Sequence, residues 1–527
     1  MKRRDFIQKV MASTALPLVL NGFPIESIAR NSIFEQLGKT GFEDRILVII
    51  QLNGGNDGLN TVIPIDQYDN LFNARKNIII PNNKILPLTG TASVGLHPSL
   101  SEMRNLYDNG KINIIQNVGL PDPNFSHFRA TDIWLTGSDN ETTEPTGWAG
   151  RFLEKKYINF PTDYPNLNYP DPPAIQIGPY ISPAFQGKNI TFGMPISDPK
   201  AYYQFVNGTV DTAPNTPAGR ELTYLRLVKQ QTEKYRGSIK SAAERATNLS
   251  TLYPSTGTNS LADQLKIVAQ LIGGGLKTQI YMVSMGGFDT HALQTDSSNP
   301  ELGNHAVLLQ KVSQAINAFQ DDIEKMGADF KVMGMTFSEF GRRIKSNDSQ
   351  GTDHGAAAPL FIFGKNVKPG IIGNNPMIPA NVTVSDNVTT QIDFRSVYAS
   401  ILKYWFNIND ADIDPLLLNK SFPILDIIDS QKTGVNNPIK AKIGFMENFP
   451  NPANTQTTIR FACSKGLVKI VLFDSNWREI LIVVEANYDK GTHEVLLSTS
   501  LLNNGTYYYQ YEQGKDKLVK QLIVAKY

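Results

Sequence analysis

Ile46-Leu47-Val48-Ile49-Ile50-Gln51-Leu52, followed at once by Asn53-Gly54-Gly55-Asn56-Asp57-Gly58-Leu59-Asn60, is the stretch on which the fold turns. The first part is a continuous apolar run, the pattern of a strand buried on both faces of a parallel sheet. In the second part the glycines let backbone approach a ligand closely, and Asp57 is a hard oxygen donor. A Gly-Asn turn without a ligand has the same composition, so the loop by itself decides nothing.

Working outward, apolar residues recur at helical spacing over 98–109, and 111–118 reads as a second buried strand. Residues 126–135 again read as helix. Further on come a strand at 278–285, a long amphipathic helix at 306–326, and strands at 330–337 and 360–363. Strands alternating with helices imply an α/β domain with a mostly parallel sheet. Two segments break the rhythm. Residues 161–217, rich in Pro, Tyr and Asn, read as an irregular insertion, and 220–249 as a polar surface or cap helix with apolar positions at Leu222, Leu225, Leu227 and Val228.

Parallel sheets bind ligands beyond the carboxyl ends of their strands, so the polar residues just after each strand carry the functional reading. After the second strand stands Ser126-His127-Phe128-Arg129, opening a helix. Ser126 suits an ordinary N-cap, and it equally suits a nucleophile favoured by the helix dipole; Arg129, on the first turn, could hold an anionic oxyacid group. Asp289 and His291 follow the next strand, two residues apart, and can reach one metal. Ser338-Glu339-Phe340-Gly341-Arg342-Arg343 adds a carboxylate and two cations, and Asp353-His354 precedes the last strand. A single such residue is commonly a satisfied loop side chain. Acidic or Asp-His sites at successive strand ends point to a shared metal or anion site.

The ends of the chain speak of export. Met1-Lys2-Arg3-Arg4-Asp5-Phe6-Ile7 followed by a short apolar stretch reads as a removable signal over 1–30, with a twin-arginine pattern, served by the twin-arginine or general export machinery. With that segment set aside, no apolar run is long enough to anchor the mature chain in a bilayer. The net charge of +1 gives no basic footprint for nucleic acid. The lone cysteine, Cys463, cannot form a disulfide within the chain and reads as a buried thiol. At the other end, 457–461, 468–473, 479–484, 492–497 and 505–511 are short strand-like runs separated by turn residues, as in a small antiparallel sandwich. The expected organisation is a signal at 1–30, an α/β domain at 45–430, a polar linker at 431–442 and a β-sandwich at 443–527.

Two resemblances sharpen this. Asn448-Phe449-Pro450-Asn451-Pro452, the Val471-Leu472-Phe473-Asp474 strand, residues 502–508 and Lys520-Gln521-Leu522-Ile523-Val524 together resemble the type A sorting domain of the Bacteroidetes type IX secretion system. That resemblance implies the type IX machinery as a partner and a cell-surface or extracellular destination. The central segments resemble the domain-of-unknown-function 1501 family. They are 51–60, Gly95-Leu96-His97-Pro98, 124–130, Thr146-Gly147-Trp148-Ala149-Gly150-Arg151, 287–291, 338–342 and Gly351-Thr352-Asp353-His354-Gly355.

The second resemblance implies a distant relation to the alkaline phosphatase and sulfatase superfamily, and with it an alkaline-phosphatase-like sheet flanked by helices. It makes Asp57 the acid after the first strand and Ser126 the nucleophile. Asp289 with His291, at shortened spacing, becomes the metal pair, and His354 the last metal histidine. Where the superfamily has Asp-His-Gly, this chain has Glu339-Phe340-Gly341. A benzyl group cannot coordinate a metal. An alternative alignment takes Asp353-His354 as the pair and leaves the last histidine missing. The site so implied holds one divalent ion (Zn, Ca or Mg), holds two weakly, or is silent. The main expectation is an exported metal-dependent hydrolase of phosphate or sulfate esters. One metal would lie on Asp289, His291 and His354, a second on Asp57 and Glu339, with Ser126 as nucleophile and Arg129 and Arg342 on the oxyanion. The alternatives are a non-catalytic surface binding or assembly protein that keeps the fold, and a metal-free anion or glycan receptor.

Overall fold

The structure, a computed structural model, describes residues 19–20, 23–24, 44–166, 168–197, 233–429, 446–449, 451–474, 478–489, 491–514 and 516–526. Almost all of the expected signal, the expected linker 431–442, and residues 198–232 of the expected insertion and cap helix lie outside them. The chain divides into two compact units, Met1–Thr433 and Gly434–Tyr527.

In the first unit the strands of the main sheet and of the hairpin beside it, in chain order, are β1 (Ile46–Leu52), β2 (Ile112–Gly119), β3 (Ala174–Ile177), β4 (Gly193–Ile196), β5 (Ile280–Met285), β6 (Val332–Phe337), β7 (Arg342–Ser346), β8 (Thr352–His354), β9 (Ala358–Phe363), β10 (Gly370–Ile372) and β11 (Ile392–Asp393). The helices that matter here are α1 (Ser101–Asp108), α2 (His127–Thr136), α3 (Trp148–Lys156), α4 (Ser260–Gly273), α5 (Asn304–Lys325) and α6 (Phe394–Ser400). Nine strands form one sheet in the order β10-β2-β9-β6-β1-β5-β3-β4, with β11 also on β2. Strand β1 lies between β5 and β6, parallel to both, and every one of its residues is buried. The apolar run that opens the domain is therefore the middle of the sheet. The sheet is mixed: β9 pairs antiparallel with both β6 and β2.

That reversal positions the site. Parallel strands β1, β2, β5 and β6 deliver their following loops to their carboxyl edge, and β9 brings its preceding loop to the same edge because it runs the other way. Ahead of β9, β7 and β8 form an antiparallel hairpin that sets Arg342 opposite His354.

Helix α2 is fixed on the sheet by its aromatic residue. Trp134 stacks on Phe337 of β6 at 5.2 Å and on Phe394 of α6 at 4.4 Å, while Trp148 of α3 stacks on Tyr398 at 4.3 Å. Such pairs contribute about 0.5–1.5 kcal/mol each beyond simple burial. The two made by Trp134 fix α2 against the sheet and so place its first turn, with His127, over the strand ends. The helix stops at Gly137, whose φ of 71° is the left-handed cap that a glycine adopts without strain.

The second unit is a small antiparallel sandwich. One sheet joins Met446–Phe449, Gln456–Cys463 and Gly491–Ser498; the other orders Glu479–Tyr488, Gly466–Phe473, Gly505–Gln513 and Asp516–Val524. Alternate residues such as Ile459, Phe461, Val468, Ile470, Tyr509 and Tyr511 fill its core, and Cys463 is buried there. Among the described residues no helix is long and apolar enough to cross a membrane.

Candidate metal centre

Three histidines and one aspartate meet at the carboxyl edge of the sheet. Asp289, in the loop after β5, presents Oδ1 to His291 Nε2 at 3.2 Å and to His354 Nε2 at 3.3 Å. Its other oxygen, Oδ2, lies 3.4 Å from His127 Nε2. Of these residues, His127, Asp289 and His354 form a group whose ligand atoms all lie within 4.8 Å of one another. His291 Nε2 adjoins the group, 2.9 Å from His354 Nε2.

The far nitrogen of each ring is already occupied. His127 Nδ1 lies 2.8 Å from Glu339 Oε1, His354 Nδ1 2.8 Å from the Phe125 carbonyl, and His291 Nδ1 3.1 Å from Asp353 Oδ1. Carboxylates and carbonyls only accept, so each Nδ1 carries a proton, and all three Nε2 atoms face inward toward Asp289. His291 Nε2 and His354 Nε2, 2.9 Å apart, need a proton or a metal ion between them. His127 Nε2 is itself buried with no hydrogen-bond partner. Ligands about 2.0–2.1 Å from a tetrahedral ion stand about 3.3–3.4 Å apart; the separations of Asp289 Oδ1 from His291 and His354 lie near that edge, while the two imidazole nitrogens at 2.9 Å stand closer. The residues present therefore fit a metal ion. Burial, above all, holds His354 below the usual histidine range. Burial alone would raise Asp289, but the hydrogen bond and charge of Arg342 outweigh it and keep its carboxyl below the ordinary value. Both shifts favour the ligating forms.

Phe340 occupies the place where a further imidazole was sought, and its ring forms an apolar wall. It is buried, with its ring centre 4.9 Å from that of His127 and 4.7 Å from that of His354. The wall closes the protein side of the centre; Asp289 and His291 stay open, with side chains 47% and 45% exposed.

The other expected site residues are engaged as follows. Asp57 is fully buried, 2.8 Å from Arg75 Nη1 and 2.6 Å from Gln294 Nε2. Burial pushes its pKa up, but Arg75, His305 and Gln294 together hold it below the usual carboxylate range. Glu339 accepts from the Gly54 amide at 2.8 Å as well as from His127. Asp353 stands behind His291, also meeting Asn347 Nδ2 at 3.2 Å. Arg129 is tied to Asp132 and donates at 2.6 Å to the carbonyls of Asp139 and of Thr142. Arg342 is wholly buried; its Nε donates to the Gly55 carbonyl at 2.6 Å, and its terminal nitrogens reach Thr352, Gly54, Phe288 and Asp289. Ser126 opens α2 as an exposed N-cap whose side chain caps no amide.

His127, which the sequence presents only within the segment opening α2, stands among the ligands. Its signal was its position, the first residue of a helix following a strand end. Arg75 and Gln294, the partners of Asp57, gave no signal, because both lie far from it in sequence. A cleft of about 790 Å³ opens elsewhere, lined by residues including Asp66, Tyr107, Asp108, Asn374 and Asn375. It has no histidine, and Asn375 already bonds Asp66 and the Ser93 carbonyl, so the chemistry belongs to the smaller centre.

Comparison with known proteins finds one family match within each unit of the chain. Residues 210–414 match the family described as a protein of unknown function (DUF1501), and 447–525 match the secretion system C-terminal sorting domain. No curated protein matches the chain. Among solved structures it is similar to a protein of the alkaline phosphatase superfamily from Vibrio parahaemolyticus (10% identity, 84% of this chain and 83% of that one, TM-score 0.33). It is also similar to a sulfatase from Pseudoalteromonas sp. (11%, 87% and 84%, 0.33) and to a phosphonate monoester hydrolase from Silicibacter pomeroyi (9%, 91% and 89%, 0.31). The sorting domain implicates the type IX secretion machinery as a partner and marks the protein for export to the cell surface or beyond it. The chain thus carries a DUF1501 domain followed by a secretion system C-terminal sorting domain.

Proposed function

We propose that this is an exported metal-dependent hydrolase of phosphate or sulfate esters. One observation carries the reading: three imidazoles, each with Nδ1 held by an acceptor, turn Nε2 toward a single aspartate. Metal-ligating histidines almost always donate the other ring N–H to a carboxylate or carbonyl in this way. His127, His354 and Asp289, with His291 beside them, would hold the ion. Imidazole donors at tetrahedral edges suit Zn²⁺ better than Ca²⁺ or Mg²⁺, which select oxygen. Once bound, such an ion lowers the pKa of a coordinated hydroxyl or water and neutralises charge on an ester oxygen.

The chain's own groups have separate tasks in this reading. Glu339, Asp353 and the Phe125 carbonyl orient the rings. Phe340 excludes water from the protein side. Ser126, next to His127 at the amino end of α2, offers an exposed hydroxyl where the helix dipole favours an anion. Metal analysis of the purified protein, with hydrolysis of aryl phosphate and aryl sulfate before and after zinc loading, tests the proposal. Zinc content with zinc-dependent turnover is expected; a metal-free, inert protein would sink it.

The commitment of both expected oxyanion-holding arginines favours a second reading, a surface binding or assembly protein without turnover. Bound zinc with no hydrolysis of either ester class would select it.

We also propose that a twin-arginine signal over 1–30 starts export and that 443–527 is a separable sorting module after the 431–442 linker and the 45–430 domain. Replacing Arg3 and Arg4 with Lys should strand the precursor in the cytoplasm. Truncation after Lys440 should leave the folded larger domain in the periplasm. Normal secretion of either variant would refute the corresponding assignment.

A further inference from the structure

The fully buried Arg342 does more than neutralise Asp289. Four backbone carbonyls converge on its guanidinium: Gly54 and Gly55 from the loop after β1, Phe288 from the loop after β5, and Thr352 from β8. A fifth oxygen, Asp289 Oδ1, lies 2.7 Å away and is the same atom that His291 and His354 approach. The loops must nearly touch to build this cage. A Cβ at Gly54, whose φ is +122°, would lie 2.3 Å from the Asp289 amide nitrogen, so only glycine allows the approach. Carbonyls joined by one carboxylate are the donor set that hard cations choose. Here a side-chain cation that keeps its charge at any ordinary pH occupies it.

The acids expected to hold a second ion are committed as well. Asp57 pairs with Arg75, and Glu339 accepts from His127 and Gly54. We propose that the Arg342 guanidinium is the second cation of this centre, seated permanently in an oxygen cage beside the imidazoles, so that the site takes one metal ion rather than two. Arg342 is in this view a positioning residue: it holds Asp289 in its ligating place and fills the neighbouring cation position. The inference rests on the metal-centre reading above.

The test uses the full mature chain as wild type, Arg342→Ala and Arg342→Lys. Zinc per chain is measured by elemental analysis after loading and dialysis, and melting temperature with and without guanidinium or Ca²⁺. Wild type should hold a single zinc and show no stabilisation by either added cation; two zincs per chain overturn the proposal. Arg342→Ala empties the cage and should be stabilised by guanidinium or Ca²⁺ at concentrations that leave wild type unmoved; no response to either overturns it. Should Arg342→Ala fail to fold, Arg342→Lys keeps the charge but not the five-donor fork. It should bind zinc about tenfold or more weakly, in the range for loss of a ligand's supporting partner, and unchanged affinity overturns the positioning role. Zero zinc in wild type with the cage response intact would refute the metal centre and the one-ion count while leaving the cation cage standing.

Discussion

Glu339→Ala separates a metal centre from a chance meeting of histidines. Glu339 Oε1 receives the Gly54 amide and the His127 ring, both at 2.8 Å, from a side chain only 2% exposed. Removing the carboxylate frees the His127 ring to rotate and lowers its basicity. Loss of such an outer partner costs about 10–100-fold in metal affinity, which is about 1.4–2.8 kcal/mol at ~1.4 kcal/mol per tenfold. The substitution also strands the Gly54 amide, a further cost of about 1–3 kcal/mol that falls on the apo fold. Glu339→Gln keeps an acceptor oxygen but not the charge, so its affinity should fall between wild type and the alanine variant, with little loss of apo stability. The assay is competition for Zn²⁺ against a chromophoric chelator at fixed pH, alongside chemical denaturation of the metal-free protein. Zinc affinity unchanged in Glu339→Ala, in a protein that remains folded, would refute the argument that the Nδ1 partners prepare the Nε2 atoms for a metal.

Three further outcomes follow from the same geometry. Asp57→Ala leaves the buried Arg75 charge unpaired and should cost about 3–5 kcal/mol in unfolding free energy, whereas breaking the exposed Lys155–Asp412 pair should cost no more than about 1 kcal/mol. Burial lowers the His305 pKa from 6.5 to about 4 and that of His97 to about 3. The unfolded chain therefore binds more protons below pH 6.5, and apo stability should be intact above that value and decline as pH falls toward 4, by up to about 1.4 kcal/mol per pH unit for each histidine; His305→Gln should flatten the curve, and a wild-type curve already flat there would contradict the burial argument. Gly54→Ala forces a side chain against the Asp289 backbone at a positive φ, so it should destabilise the fold by at least about 1–3 kcal/mol and lower zinc affinity, and wild-type zinc affinity in the variant would count against the close approach of the two loops.

Much of the centre was legible because the constraints on it are local. A strand buried on both faces must be apolar throughout, so Ile46–Leu52 announced a central strand, and the rule that parallel sheets gather their following loops marked Asp289, Glu339 and Ser126 for inspection. His354 was legible as half of an Asp-His pair just ahead of a strand. Its arrival at the same edge depends on β9 running antiparallel, and one chain's hydrophobic pattern does not encode strand direction.

The architecture and the chemistry on offer can be read along the chain: an α/β sheet, a small antiparallel sandwich, and histidines and acids at strand ends. These follow from periodicity and composition, which act over a few residues. Which donors are spent and which remain is set by contacts between distant segments in the fold. Arg75, eighteen positions from Asp57, neutralises it. Arg342 is drawn inward by carbonyls from two loops and strand β8, Arg129 is tied to its own neighbourhood, and His127 joins Asp289 from more than a hundred residues away. Hydrogen-bond and charge pairing across such distances depends on where the folded backbone sets each group, and no spacing rule along the chain carries that information.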